Sequence, residues 1–171
     1  PQAEHLEIVE KFLKSDIGKQ YSDYITESKK CMKEVKVALT EDLKQTSFFA
    51  KDAWFRGIID LMFVKDQTLH LCDYKTGKVK DLQSQDFTQL IYYAVYFFST
   101  YKYVKNINLS FIYVEHDVEN CLELSAESCK TYISKLKQNI ELIENDTEFL
   151  PKKSWKCNYC SFKNLCEEAK C

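Results

Sequence analysis

Apolar and polar positions recur along this chain with two periods, and the switches between them mark out its elements. Residues 3–14 set Leu6, Val9 and Leu13, with Ile8 and Phe12, at helical spacing, which predicts a helix with a broad apolar stripe. Residues 15–32 are polar and predict loop plus a short helix. Residues 33–39 alternate, with Val35, Val37 and Leu39 on one side, and read as a strand. Residues 40–52 connect. Two apolar runs, 54–64 and 69–75, flank Lys65-Asp66-Gln67-Thr68 and read as a hairpin, although Asp-Gln is not a favoured turn pair. Residues 83–99 form a long, largely buried helix, 107–115 a strand, and 125–144 a helix. Ser125 supplies the cap of that last helix, with Ser128 where a full capping box would have Glu. The order α-β-β-β-α-β-α, followed by a tail from Phe149, predicts an α/β fold with a central mixed β-sheet flanked by helices. There is no internal repeat and no low-complexity segment.

A hairpin turn centred between Asp66 and Gln67 sets Asp60 opposite Asp73, with Cβ atoms roughly 4.5–5.5 Å apart. Lys75, two residues beyond Asp73, shares its face. Met62, Val64, Leu69 and Leu71 complete that face; Ile59, Leu61, Phe63, His70, Cys72 and Tyr74 form the other. Both are mostly apolar, so the hairpin belongs inside the sheet. Two carboxylates opposed there repel each other and are costly to desolvate. A bound cation relieves both costs, and hard oxygen ligands suit Mg²⁺ or Mn²⁺. The competing reading is a surface hairpin end with Asp60 or Asp73 paired to Lys75 or Arg56.

Composition changes this picture little. The chain has 171 residues, 45% hydrophobic and 29% charged, enough for one ordinary domain and its core. The net charge of −2 gives no global basic field. Lysines are nonetheless dense at Lys75, Lys78 and Lys80, at Lys102 and Lys105, and at Lys152, Lys153 and Lys156. No stretch approaches the roughly 20 apolar residues of a membrane span, and no signal peptide is visible, so an intracellular setting without a membrane partner is expected. The chain begins at Pro1 rather than Met, which suggests a piece of something longer. Cysteine changes the picture more. Of the eight, Cys31, Cys72, Cys121 and Cys129 are scattered, whereas Cys157, Cys160, Cys166 and Cys171 crowd the end. Such clustering fits a metal or iron–sulfur site better than a disulfide scaffold.

Several short motifs stand in a telling order. Gly57-Ile58-Ile59-Asp60 is a G-x-x-D strand, and Asp73-Tyr74-Lys75-Thr76-Gly77-Lys78 a D-Y-K-T-G-K strand end. Gln89-Leu90-Ile91-Tyr92-Tyr93 is a Q-x-x-x-Y helix, and Cys157-x₂-Cys160-x₅-Cys166 closes the chain. Together they resemble the RecB-type nucleases of the PD-(D/E)XK superfamily, including iron–sulfur members among CRISPR-associated and helicase-linked nucleases.

The resemblance implies a nuclease core over 1–148 and a cysteine-rich tail over 149–171 packed on it. It implies a metal-dependent deoxyribonuclease, an exonuclease on DNA ends or single strands, working with Mg²⁺ or Mn²⁺ and a metal-activated water. Asp60, Asp73, the backbone carbonyl of Tyr74 and His5 are the implied metal ligands, with Lys75, Gln89 and Tyr93 in the catalytic set. Glu34 is a rival acid, favoured as an outward-facing strand residue or a support. Gln89 and Tyr93 share a helix face, whose bland alternative is a polar seam on a buried helix. Cys157, Cys160 and Cys166 supply three ligands of a [4Fe–4S] cluster, which needs four thiolates; the candidates for the fourth are Cys31 and Cys171, the alternatives being a ligand before Pro1 or none. A Zn²⁺ site using Cys171 is the alternative. Trp155, Tyr159 and Phe162 could stack on bases, but packing against the body is the expectation. DNA is the implied partner, with a helicase or recombination protein beside it, in repair or recombination. The rival functions are a non-catalytic DNA-end-binding or assembly module and an RNA- or nucleotide-directed hydrolase.

Overall fold

A computed structural model of the chain describes residues 2–28 and 30–169. It divides into two compact units, Pro1–Leu136 and Lys137–Cys171. The first is α/β: α1 (Gln2–Lys14), α2 (Asp16–Glu27), β1 (Cys31–Leu39), β2 (Phe55–Lys65), β3 (Thr68–Lys75), α3 (Thr88–Thr100), β4 (Asn106–Tyr113), β5 (Val118–Ser125) and the start of α4 (Ala126–Glu144). The five strands lie in the order β1-β2-β3-β4-β5. All neighbours are antiparallel except β3 and β4, which α3 joins as a parallel crossover. The sheet is therefore mixed, as the pattern predicts.

Two elements differ from the sequence expectation. The polar stretch after α1 contains a full helix, α2, capped by Ser15, whose Oγ accepts the Gly18 N–H at 3.1 Å. Only Tyr21 and Gly18 of α2 are buried, so its apolar stripe is too thin to read. The strand β5 was absent from the expectation because Glu119, Asn120 and Glu123 dilute its alternation; as an edge strand it buries only Asn120 and Leu124. The stripe of α1 is also overturned in part. Phe12 is buried, but Leu6, Val9 and Leu13 are exposed.

Apolar residues fill both sides of the sheet. On one, Phe12 and Tyr21 pack with Leu61, Phe63, Cys72 and Ile112, and Cys31 joins them. On the other lies α3, in which Leu90, Ile91 and the run Tyr93–Phe98 are buried. The β2–β3 hairpin closes on Asp66 and Gln67, both with positive φ (49° and 64°). That is the type I′ geometry that suits hairpin twist, reached here without glycine. The register pairs Leu61 with Cys72 and Lys65 with Thr68, as a turn centred between Asp66 and Gln67 requires.

Beyond Leu61 the strand turns over. Leu61 and Phe63 face α1 and α2, yet Gly57, of the same parity, faces Tyr93 of α3. Alternate residues of a regular strand share a face, so β2 must reverse between them. It does so where Glu34 of β1 has φ 52° and the β1–β2 ladder leaves out the pair Glu34–Asp60. The reversal frees Asp60 from the ladder at the level of Asp73.

Candidate metal and phosphate site

Asp73 ends the buried part of β3 and is 6% exposed. Its Oδ1 accepts a hydrogen bond from Gln89 Nε2 at 3.0 Å. Its Oδ2 lies 2.5 Å from Lys75 Nζ as an ion pair, in a direction that leaves this buried oxygen without an aligned hydrogen bond. Burial raises the Asp73 carboxyl above its ordinary pKa; Lys75 opposes that shift and Asp60 adds to it. Asp60, half-buried, uses Oδ2 to accept the Tyr74 N–H at 2.9 Å, in place of the missing ladder partner. Two carboxylates thus meet at one point of the sheet, Asp60 bonded to the Tyr74 N–H and Asp73 to Gln89 and Lys75.

Gln89 closes the site from α3. Its amide oxygen accepts from Lys75 Nζ at 3.4 Å, and its amide nitrogen donates to Asp73 and to the Tyr93 hydroxyl at 3.0 Å. An oxygen toward the ammonium and a nitrogen toward the carboxylate is the only orientation both partners accept. Tyr93 lies flat on β2 because Gly57 has no side chain: a Cβ there would sit 2.4 Å from Tyr93 Cε1. Lys75 Nζ stands 4.8 Å over the Phe111 ring, a cation–π contact that holds it beside Asp73.

The loop from β3 to α3 is stapled to the far strands. Buried Asn120 donates to the Lys80 carbonyl at 2.9 Å and to Gln85 Oε1 at 3.2 Å, and Tyr113 donates to the same Gln85 oxygen at 2.6 Å. The N-terminus of α3 takes Asp86, whose carboxylate accepts the Thr88 N–H at 2.9 Å. Phe111, Tyr113 and Asn120 were beyond sequence reasoning. The one available signal was a polar residue, Asn120, at an inward position of a strand that was itself overlooked.

Asp60, Asp73, Lys75, Gln89 and Tyr93 are thus brought together. His5 is exposed on α1. It is seven residues before Phe12, hence on the same helix face, and the Phe12 ring meets Tyr74 edge-on at 6.4 Å. Glu34 is exposed at the strand reversal. Among the described residues no three His, Cys, Asp or Glu side chains are arranged to hold a metal ion. Two carboxylates fit Mg²⁺ all the same, because that ion keeps several waters and takes one or two carboxylates plus substrate phosphate. Asp73 Oδ2, paired with the Lys75 ammonium but without an aligned hydrogen bond, is the oxygen such an ion would share.

Among the described residues Cys157, Cys160 and Cys166 form no group arranged to hold a metal ion. Cys157 and Cys166 are half-buried and Cys160 is exposed. Cys157 Sγ accepts the Ser154 N–H at 3.4 Å, and the segment is held by short-range turns, Cys160 N–H to Cys157 O at 3.3 Å and Cys166 N–H to Phe162 O at 3.0 Å. Cys171 lies outside the described residues. Cys31 belongs to the first unit and packs against the Phe63 cluster. Trp155, Tyr159 and Phe162 are 72%, 83% and 68% exposed.

Among the described residues no helix is long and apolar enough to cross a membrane. The sequence matches a profile of the PD-(D/E)XK nuclease superfamily over residues 4–167. A solved structure titled "Crystal structure of SSO0001" superposes with a TM-score of 0.46 at 18% identity, over 81% of this chain and 60% of that one. This chain therefore spans about three fifths of the length of that chain. None of the curated proteins compared matches it.

Proposed function

The chain belongs to the PD-(D/E)XK nuclease superfamily, and from that premise we propose that it is a Mg²⁺- or Mn²⁺-dependent deoxyribonuclease, an exonuclease on DNA ends or single strands. The observation that supports this reading is the desolvated Asp73 carboxylate, with one oxygen lacking a hydrogen bond and a second acid, Asp60, beside it. A fold gains nothing from burying such a group for its own sake.

Asp60, Asp73 and the Tyr74 carbonyl would hold the ion, with His5 reaching the set from the Phe12 face of α1. A divalent ion bound there supplies polarisation of a phosphate and a water of lowered pKa. The chain's own groups do the rest. Lys75 holds Asp73 toward its ionised form and presents an ammonium where charge grows on the phosphate oxygens. Gln89 keeps Asp73 and Lys75 in register, and the Tyr93 hydroxyl keeps Gln89 from turning.

The test is digestion of end-labelled linear and circular single-stranded DNA, linear duplex and RNA, with Mg²⁺, with Mn²⁺ and with EDTA. Metal-dependent loss of linear DNA only, abolished in Asp73→Ala and Lys75→Ala proteins that still fold, is expected. Cleavage at wild-type rate by Asp73→Ala would sink the proposal. Tight binding of DNA ends, unchanged by EDTA and without cleavage, would replace it with the end-binding module. A DNA helicase or recombination protein as partner follows from the same reading and is tested by co-purification with the intact chain.

A further inference from the structure

The catalytic groups sit where β3 and β4 end, since Lys75 pairs with Tyr113. At the other end of the sheet, where β4 starts and β5 stops, lies a cleft of about 520 Å³. It is lined by the last turn of α3, the loop after it, the loop after β1 and the first turns of α4. Four of its lining residues are lysines, Lys44, Lys102, Lys105 and Lys130, and one is acidic, Asp42. Lys44 leans on Asp42 at 3.7 Å and Lys130 on Glu127 at 2.6 Å. Among the described residues no carboxylate lies within ion-pair distance of Lys102 or Lys105; Lys105 Nζ donates only to the Lys102 carbonyl, at 3.4 Å. Between them Tyr103 is 79% exposed, its ring 5.8 Å from that of Tyr101.

In a chain of net charge −2, lysines from three segments line one cleft, and among the described residues no carboxylate pairs with Lys102 or Lys105. An anionic partner would pair with them. The separation from the site suits a polymer. Gln89 and Ser99 stand at opposite ends of α3, ten residues or about 15 Å apart along its axis. That is several charge spacings along a nucleic-acid strand. The exposed tyrosine beside the lysines supplies a face on which a base can stack.

We propose that this cleft is a second, non-catalytic site for the phosphate backbone of a nucleic-acid strand, several nucleotides from the scissile bond, with Tyr103 stacking on a base. The proposal takes its substrate class from the cleavage reading but concerns binding, so the two fail separately. Lys102→Glu/Lys105→Glu/Lys130→Glu and the milder Lys→Gln triple are compared with wild type. Labelled long single-stranded DNA is titrated by fluorescence anisotropy in EDTA at several salt concentrations. The triples are expected to bind at least about tenfold more weakly at low salt, with the salt slope reduced by about two, at roughly 0.7 per lost phosphate contact. In cleavage assays their KM for long DNA rises, while a trinucleotide is cut as by wild type. Tyr103→Ala weakens binding with an unchanged salt slope. Wild-type affinity and slope in a folded Lys→Gln triple would overturn the proposal. Binding by a wild type that cuts nothing, lost in the triples, would overturn the cleavage reading and leave this one standing.

Discussion

The end of the β2–β3 hairpin and the cysteine tail were both legible as metal sites, and they are built on opposite plans. Around Asp73 all but Lys75 are held from a distance in sequence: Gln89 from α3, Phe111 from β4, Asp60 from across a ladder that opens to admit it. The sheet itself places the carboxylates. Around Cys157 the bonds span three or four residues, and the large apolar side chains face solvent. A segment this short lacks the core that would order it alone, which is the usual case for a metal or a partner. The contrast teaches that a cation at Asp73 completes a finished frame, whereas a metal in the tail would have to make its own.

The sharpest way to break that comparison is at Asp73. Asp73→Asn should cut metal-dependent cleavage by at least about 10²–10³-fold yet leave the metal-free protein as stable as wild type or more so. Burial raises this carboxyl, so the folded protein binds its proton more tightly than the unfolded chain. Metal-free wild type should therefore gain stability as pH falls through that raised value, levelling off below the ordinary value near 3.8. Asp73→Asn should lack this rise. Thermal melts in EDTA across pH 3 to 7 check both points, a range chosen around the ordinary carboxylate value. A large loss of stability in Asp73→Asn at neutral pH would show that the charge holds the fold, and the finished-frame view would fail.

Lys75 gives a comparable loss and a more informative pH profile. Its charge lowers the Asp73 pKa against burial. Lys75→Gln should leave a residual rate whose acid limb begins at higher pH than in wild type, because Asp73 then ionises later. An acid limb that stays put, measured at saturating Mn²⁺, would mean that Asp73 is not the group titrating.

Next come the glycines. A Cβ on Gly57 would lie 2.4 Å from the Tyr93 ring, and one on Gly18 only 1.8 Å from the Phe12 carbonyl oxygen. Both alanine variants should lose about 1–3 kcal/mol of stability. Only Gly57→Ala should also slow cleavage well below its Tm, by about tenfold or more, since it pushes Tyr93 away from Gln89. At Gly77 a Cβ would meet nothing within 4 Å, so Gly77→Ala is the silent control. Equal kcat for all three would detach Tyr93 from the site.

How much of this the sequence disclosed follows the same divide. The hairpin register came from the turn position alone, and with it the meeting of Asp60, Asp73 and Lys75, because pairing in a hairpin is local. The sheet and the helix α3 came from strong periodicity. What stayed hidden depends on contacts made only after folding. These are the overturning of β2 at Glu34 and Asp60, the fixing of the β3–α3 loop by Asn120, and the edge strand β5 whose polar residues mask its alternation. Phe12 could be picked out as core by pattern, but not the exposure of Leu6 and Val9, since amphipathicity shows which face can be buried and not what will cover it.

The smallest expected effect belongs to the tail, and it decides the comparison from the other side. Cys157, Cys160 and Cys166, the sites of three serine variants, belong to the second unit, and Cys160 is exposed. In protein handled without iron each should shift stability by no more than about 0.5 kcal/mol. Reconstitution with ferrous iron and sulfide under anaerobic conditions separates the alternatives. If the cysteines take a cluster, wild type gains visible absorption and about four irons, since four thiolates hold a [4Fe–4S] cluster, and the Ser variants do not. Fluorescence of Trp155 should then become resistant to quenchers, because order reaches the segment with the metal. Stoichiometric zinc in a colourless sample would assign the thiolates to a tetrahedral site instead. Neither metal, with Trp155 still open to quencher, would mean that the segment is ordered by something other than an ion, and the expectation of a metal in the tail would be withdrawn while the Asp73 site stood unchanged.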